Sequence, residues 1–165
     1  MREFSAKKEE LIKLDSKDKK ILKVLFENAR MPITEIAKKT KLPKDVVLYR
    51  INKYKKTGVV TFYSLINPSL MGYPIYKYVS ITTFNFHPDK EKDFTTFLKN
   101  HPNITYSTKL SGKVDYLIAI SAKSLKGFDQ IMKEIRSKFN NIIKDFEIND
   151  IVEEYQHDYS AELIE

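Results

Sequence analysis

The hydrophobic period of this chain changes at Gly58. Before it, apolar residues recur three and four apart, the spacing of helix faces. After it, β-branched and aromatic residues gather in short runs separated by helical stretches. Two periods in succession predict two structural units, and 165 residues are enough for two small domains.

The first unit reads as helices. Residues 3–13 suit a short helix with Phe4, Leu11 and Ile12 as its apolar members. Leu14-Asp15-Ser16-Lys17-Asp18 is a start signal. Asp15 or Ser16 can accept from an orphan N–H, and Asp18 suits the positive helix end. Ile21, Leu22, Leu25, Phe26 and Ala29 then mark one face. Pro32 opens a second, short helix with Ile33, Ile36 and Ala37 inward, and Lys41-Leu42-Pro43 breaks it. A third is predicted from about Pro43 to Thr57, with Val47, Ile51 and Tyr54 inward and Gly58 at its stop. Three short helices, the last two joined by a tight turn, make a helix-turn-helix.

Val59 to Ile66 reads as a strand ended by Asn67-Pro68, and Gly72-Tyr73-Pro74 as a boundary. Beyond it the chain alternates. Strands are predicted at 75–86, 104–110, 114–122 and 142–151, with a further one at 153–163. Helices are predicted at 89–100 and 124–140, and Ser111-Gly112-Lys113 forms a hairpin. The order β-α-β-β-α-β is the ferredoxin-like unit, an antiparallel sheet with both helices on one face. Its uncovered face, bearing Tyr76, Tyr78 and Phe84, predicts a second copy as partner.

Charge follows the same division. Residues 1–66 hold 17 Lys or Arg and 8 Asp or Glu, a net of +9. Residues 67–165 hold 12 and 14, a net of −2. A polyanion-binding module joined to a neutral one fits this asymmetry, and a Lys-rich solvated surface is the alternative. No window of eighteen apolar residues suggests a membrane span, and residues 1–8 lack the apolar stretch of a secretory signal. Without cysteine there is no disulfide or thiolate chemistry. His87, His101 and His157 are scattered without ligand spacing, and no Gly-rich phosphate loop exists. The expectation is a cytoplasmic protein with no catalytic residue, metal or cofactor.

The chain resembles the Lrp/AsnC, or feast/famine, transcriptional regulators over about residues 14–155. The resemblance rests on Leu14-Asp15 with Asp18, Ile21 and Leu22, then Asn28-Ala29-Arg30 and Glu35-Ile36-Ala37-Lys38. It continues with Leu42, Val47, Arg50-Ile51, Gly58-Val59-Val60, Asn67-Pro68 and Gly72, and with Gly112 and Asp115 as a Gly-x-x-Asp turn. It implies an α+β chain in three parts. An N-terminal winged helix-turn-helix that binds DNA spans 1–60, and a strand linker spans 61–73. A C-terminal ferredoxin-like (βαββαβ) dimerisation and effector-binding domain spans 74–165. It further implies a sequence-specific regulator of double-stranded DNA, acting as a homodimer or higher even oligomer up to an octamer, with a small-molecule effector such as an amino acid. Two heads would then meet half-sites about one DNA turn (roughly 34 Å) apart or a multiple of it. The chain departs from the family at Leu42-Pro43, where Leu-Ser is usual, at Lys55, usually acidic, and before Asp115, where an aromatic is often found.

In a helix-turn-helix the third helix enters the major groove. Its outward positions are Lys44, Asp45, Leu48, Tyr49, Asn52, Lys55 and Lys56. Lys44 can donate to guanine, Asn52 can pair with adenine, and Leu48 can touch a thymine methyl. Tyr49, Lys53, Lys55 and Lys56 suit the phosphate backbone. Asp45 either accepts from cytosine or complements the helix dipole. Arg50 either contacts phosphate or pairs internally with Glu35 or Asp18. In the second unit the resemblance implies effector binding at Gly112 and Asp115. The alternative there is a glycine serving a positive-φ hairpin position and a carboxylate capping it. Two other functions stay open. One is a metabolite-sensing or protein-interaction module with nonspecific nucleic-acid binding. The other is a relative of haem-pathway decarboxylases, whose His-Asn-Tyr type motif is absent where this chain reads Asn103-Ile104-Thr105-Tyr106-Ser107.

Overall fold

The computed structural model describes residues 12–64, 66–84, 87–153 and 164. Ile12 and Lys13 are not helical, and the rest of the helix expected at 3–13 lies outside the described residues, as does the strand expected after Glu153. Contacts divide the chain into two units, one holding residues 12–64 with Ile164, the other residues 66–153.

The first unit contains α1 (Ser16–Glu27), α2 (Ile33–Thr40) and α3 (Lys44–Thr57). Asp15 starts α1 through a reciprocal cap. Its Oδ1 accepts from the N–H groups of Lys17 and Asp18, and Asp18 Oδ2 accepts from the Asp15 N–H. Ile21, Leu22 and Leu25 of α1 then meet Ile36 of α2 and Val47, Ile51 and Tyr54 of α3 in one core. Phe26, placed inward by spacing, is half exposed. At 100° per residue it stands about a quarter-turn off the centre of the Ile21, Leu22 and Leu25 stripe. Ile164 packs against the edge of this same core, beside Leu14, Leu42 and Val60.

Pro32 and Pro43 stand one residue before the positions expected of them. Each is an extended N-cap rather than a first helical residue. Each carbonyl accepts an early helical bond, from Ile36 and Val47 respectively. The turn between α2 and α3 is closed by Lys41 in the left-handed region (φ 56°), with the Leu42 N–H donating to Ala37 O. Gly58 (φ 77°) ends α3.

The strand expected at 59–66 is not formed at 59–64. A strand exists through the ladder it joins, and the sheet of the described residues holds only four strands, all from the second unit. Here the Val60 N–H donates to Tyr54 O instead, and Phe62 and Tyr63 are exposed. A short 3₁₀ turn, Ser69–Met71, closes at Gly72, which is again left-handed.

The second unit has the order β1 (Ile75–Thr83), α4 (Pro88–Asn100), β2 (Ile104–Lys109), β3 (Tyr116–Ala122), α5 (Leu125–Lys138) and β4 (Ile143–Asp150). Its sheet runs β2-β3-β1-β4 with every neighbour antiparallel, as the ferredoxin-like reading requires. Val79, Ile81, Tyr116, Ile118 and Ile120 form one buried face. Phe94 and Leu98 of α4 and Phe128, Ile131, Met132 and Ile135 of α5 complete that core. Tyr116 and Phe139 meet Phe94 edge-on, with centroids 5.2 and 5.0 Å away. The register puts Tyr76, Tyr78, Tyr106, Leu117 and Ala119 on the opposite face, where Tyr78 and Tyr106 meet edge to face.

Candidate nucleic-acid interface and effector turn

Helix α3 is two-sided. Val47, Ile51 and Tyr54 are buried. Lys44, Asp45, Leu48, Tyr49, Asn52, Lys53, Lys55 and Lys56 are all exposed. Leu48 at 46% and Tyr49 at 70% exposure are large apolar or aromatic groups presented to solvent among lysines, a combination that a merely solvated face does not need. The first turn, where a recognition helix meets base edges, carries Lys44 and Asp45. At the other end the last turn carries Lys55 and Lys56, and Lys55 Nζ lies 5.9 Å from the Phe62 ring centroid.

Arg50 is placed differently. Its Nη1 donates to Asp18 Oδ1 at 2.5 Å and to Asp15 Oδ1 at 2.9 Å, and the Tyr54 hydroxyl donates to Asp18 Oδ1 at 2.6 Å. Of the two roles open to Arg50, the internal pair is the one present, with Asp15 and Asp18 as partners rather than Glu35. Burial alone would raise the Asp18 carboxyl, but Tyr54, the Asp15 N–H and Arg50 outweigh it and hold its pKa below the usual range. Asp15 is held down to about 2, first by the Asp18 N–H and then by Arg50. Arg50 is pushed up by Asp15 and Asp18, and Tyr54 by burial and Asp18. The sequence offered a signal for this cluster. Asp15 and Asp18 stand three apart, Arg50 and Tyr54 four apart, so each pair lies on one helix side.

In the second unit the hairpin holds Gly112 and Asp115. Asp115 Oδ2 accepts from the Thr83 N–H at 2.7 Å and the Thr83 hydroxyl at 2.8 Å. Its own N–H donates to Ile81 O, and its carbonyl accepts from the Leu110 N–H. One side of the carboxylate therefore ties the hairpin to the end of β1. Gly112 has no positive φ, and a Cβ there would meet nothing within 4 Å. Among the described residues neither turn geometry nor packing demands glycine at 112, against the positive-φ reading. Nearby, Glu91 of α4 accepts from Lys109 and from the Tyr116 hydroxyl, which hold its pKa low.

Among the described residues no cluster of His, Asp and Glu is disposed to hold a metal, and no helix is long and apolar enough to cross a membrane. Residues 14–61 match the winged helix-turn-helix DNA-binding family, and residues 78–159 match the Lrp/AsnC ligand binding domain. The chain belongs to the Lrp/AsnC family. It is a DNA-binding transcriptional regulator of that family. A helix-turn-helix transcriptional regulator of Pyrococcus horikoshii is 29% identical over 132 residues, 79% of this chain and 82% of the relative. The proline dehydrogenase transcriptional activator of Rhodobacter capsulatus is 28% identical over 122 residues, 73% of this chain and 79% of the relative. The crystal structure of an AsnC family transcriptional regulator from Agrobacterium tumefaciens superposes with a TM-score of 0.78. It is 26% identical, and the match covers 87% of this chain and 94% of that one. Members of the Lrp/AsnC family are regulators rather than enzymes.

Proposed function

We propose that this Lrp/AsnC regulator reads a pseudo-palindromic site as a homodimer or higher even oligomer, with α3 as its recognition helix. The observation that carries this is the division of α3. Seven residues suited to bases and phosphates are exposed opposite its buried stripe, while Arg50 is spent on fixing the helix to α1. Lys44, Leu48 and Asn52 meet base edges, and Tyr49, Lys53, Lys55 and Lys56 meet the backbone. Asp45 in the first turn serves the helix dipole. Arg50 positions the helix. Selecting bound sequences from random duplexes with the full-length protein tests the proposal. Recovery of a two-fold symmetric motif is expected, and equal affinity for selected and random DNA would sink it in favour of a nonspecific binder.

A small molecule such as an amino acid modulates the protein at the Gly112–Asp115 turn. Support comes from the match to the family's ligand binding domain and from a glycine whose missing side chain serves nothing among the described residues. The turn offers close backbone approach at Gly112, and Thr83 fixes the Asp115 carboxylate beside it.

A further inference from the structure

A second candidate site lies elsewhere in the ligand binding domain, where the end of α5 crosses the start of β4. Thr82 pairs with Asp145 but Thr83 pairs with Ile143, so Lys144 is an extra residue in β4 opposite none in β1. Such a β-bulge bends its strand and re-aims a side chain, and bulges concentrate beside binding sites. A cleft of about 330 Å³ opens at this bulge, lined by Arg136, Asn140, Ile143, Lys144, Asp145 and Phe146.

The lining is chemically sorted. The Arg136 guanidinium carbon stands over the Phe146 ring, 4.7 Å from its centroid. This contact fixes the guanidinium, yet neither Arg136 nor Lys144 has a carboxylate partner among the described residues. Ile143 is buried, and Phe146 packs partly against the core, so the floor is apolar. Asp145 spends Oδ1 on the Phe146 N–H and keeps its negative charge at the rim. We infer that this cleft binds a small monocarboxylate with an apolar body. Arg136 and Lys144 take the carboxylate, and Ile143 and Phe146 take the body. A guanidinium fork and an ammonium are both charged donors suited to a carboxylate. Asp145 disfavours a second negative charge on the ligand, which selects against inorganic phosphate.

Saturation-transfer NMR on the full-length protein tests this with phenylacetate as probe and inorganic phosphate as competitor. Phenylacetate is expected to show transfer to its ring protons. Lys144→Gln should weaken binding about fivefold, the loss of one partly exposed charged contact, and phosphate should displace nothing. Lys144 is exposed and follows no core alternation, so this variant keeps the fold; unchanged circular dichroism checks that. Asp115→Asn is the control that separates this cleft from the proposed effector turn, and it should leave phenylacetate binding intact. Absent transfer, transfer indifferent to Lys144→Gln, displacement by phosphate, or loss in Asp115→Asn would each overturn the assignment.

Discussion

Arg50 of α3 and Asp18 of α1 are joined by a 2.5 Å contact across the core of the DNA-binding unit, although they lie 32 positions apart. Asp18 is 3% exposed, so its charge is stable only while Arg50, Tyr54 and the Asp15 N–H all reach it. Asp18→Ala leaves the Arg50 guanidinium and the Tyr54 hydroxyl without that partner. The expected cost is about 3 kcal/mol, the range for breaking one side of a buried pair. Urea unfolding followed by helical circular dichroism measures it. A loss below about 1 kcal/mol would show that the cluster contributes little.

The same carboxylates set the acid limit. Asp15 is held at about 2 and Asp18 is lowered, so both folded-state values lie below the unfolded one. Their stabilisation is fully present above the unfolded value, near 4. It is lost as pH falls through the folded value, about 2 for Asp15. Glu91 in the ligand binding domain has the same sign. At the other end Tyr54 and Tyr116 are raised, chiefly by burial, so their contribution holds below pH 10 and declines above it. The melting temperature should therefore be level near neutrality and fall on both sides. Tyrosinate absorbance should show the Tyr54 and Tyr116 phenols ionising above the ordinary range.

Base reading and phosphate binding are separable on α3. Lys53→Ala should weaken binding to every duplex alike and reduce the salt slope by about one, the release of one counterion. Asn52→Ala should relax base preference at one position at a cost of about 1–3 kcal/mol. Arg50→Met tests the positioning role. With its guanidinium held by two carboxylates, removal should lower specificity while leaving the slope unchanged. A slope reduced as in Lys53→Ala would return Arg50 to the phosphates.

How far these features were legible depends on the range of the interaction that makes them. The Asp15 cap and the Val47, Ile51 and Tyr54 stripe follow from spacings within one helix, so local sequence suffices. The β-α-β-β-α-β order follows from the period of each segment. The Arg50 partners do not, because a long side chain can reach several carboxylates and only the crossing of α1 and α3 decides among them. Residues 59–64 have strand composition, but composition supplies no neighbouring strand to pair with. The conformation of Gly112 stays open in the sequence for a related reason, since a glycine signals freedom without saying which freedom is used. The bulge at Lys144 is one extra residue in a strand, and it disturbs the alternation too briefly to be read.

Gly112→Ala distinguishes an internal from an external need for that glycine. The added methyl meets nothing within 4 Å and φ is ordinary, so stability should stay within about 0.5 kcal/mol of the parent. Any response to amino acids in thermal-shift screening should be lost, because the methyl blocks approach to the turn. Asp115→Ala should instead cost about 1–2 kcal/mol, since the Thr83 N–H and hydroxyl lose their acceptor. Destabilisation by Gly112→Ala with the response retained would place the need inside the chain.

The open face of the sheet is the expected pairing surface. Tyr76, Tyr78 and Tyr106 form a chain of ring contacts across β1 and β2, and Ala119 and Ser121 are buried beneath this side of the sheet. Among the described residues the Ser121 hydroxyl has no hydrogen-bond partner there. An aromatic surface of this kind, on a sheet whose other side carries both helices, is suited to pairing with a second copy. Tyr106 is nearly half exposed in the single chain, so Tyr106→Glu should leave that fold intact. In a face-to-face dimer the same change buries two like charges close together, and association should weaken by at least a hundredfold. Sedimentation equilibrium with matched circular dichroism reads both quantities. An unaltered oligomer would move the interface away from this face.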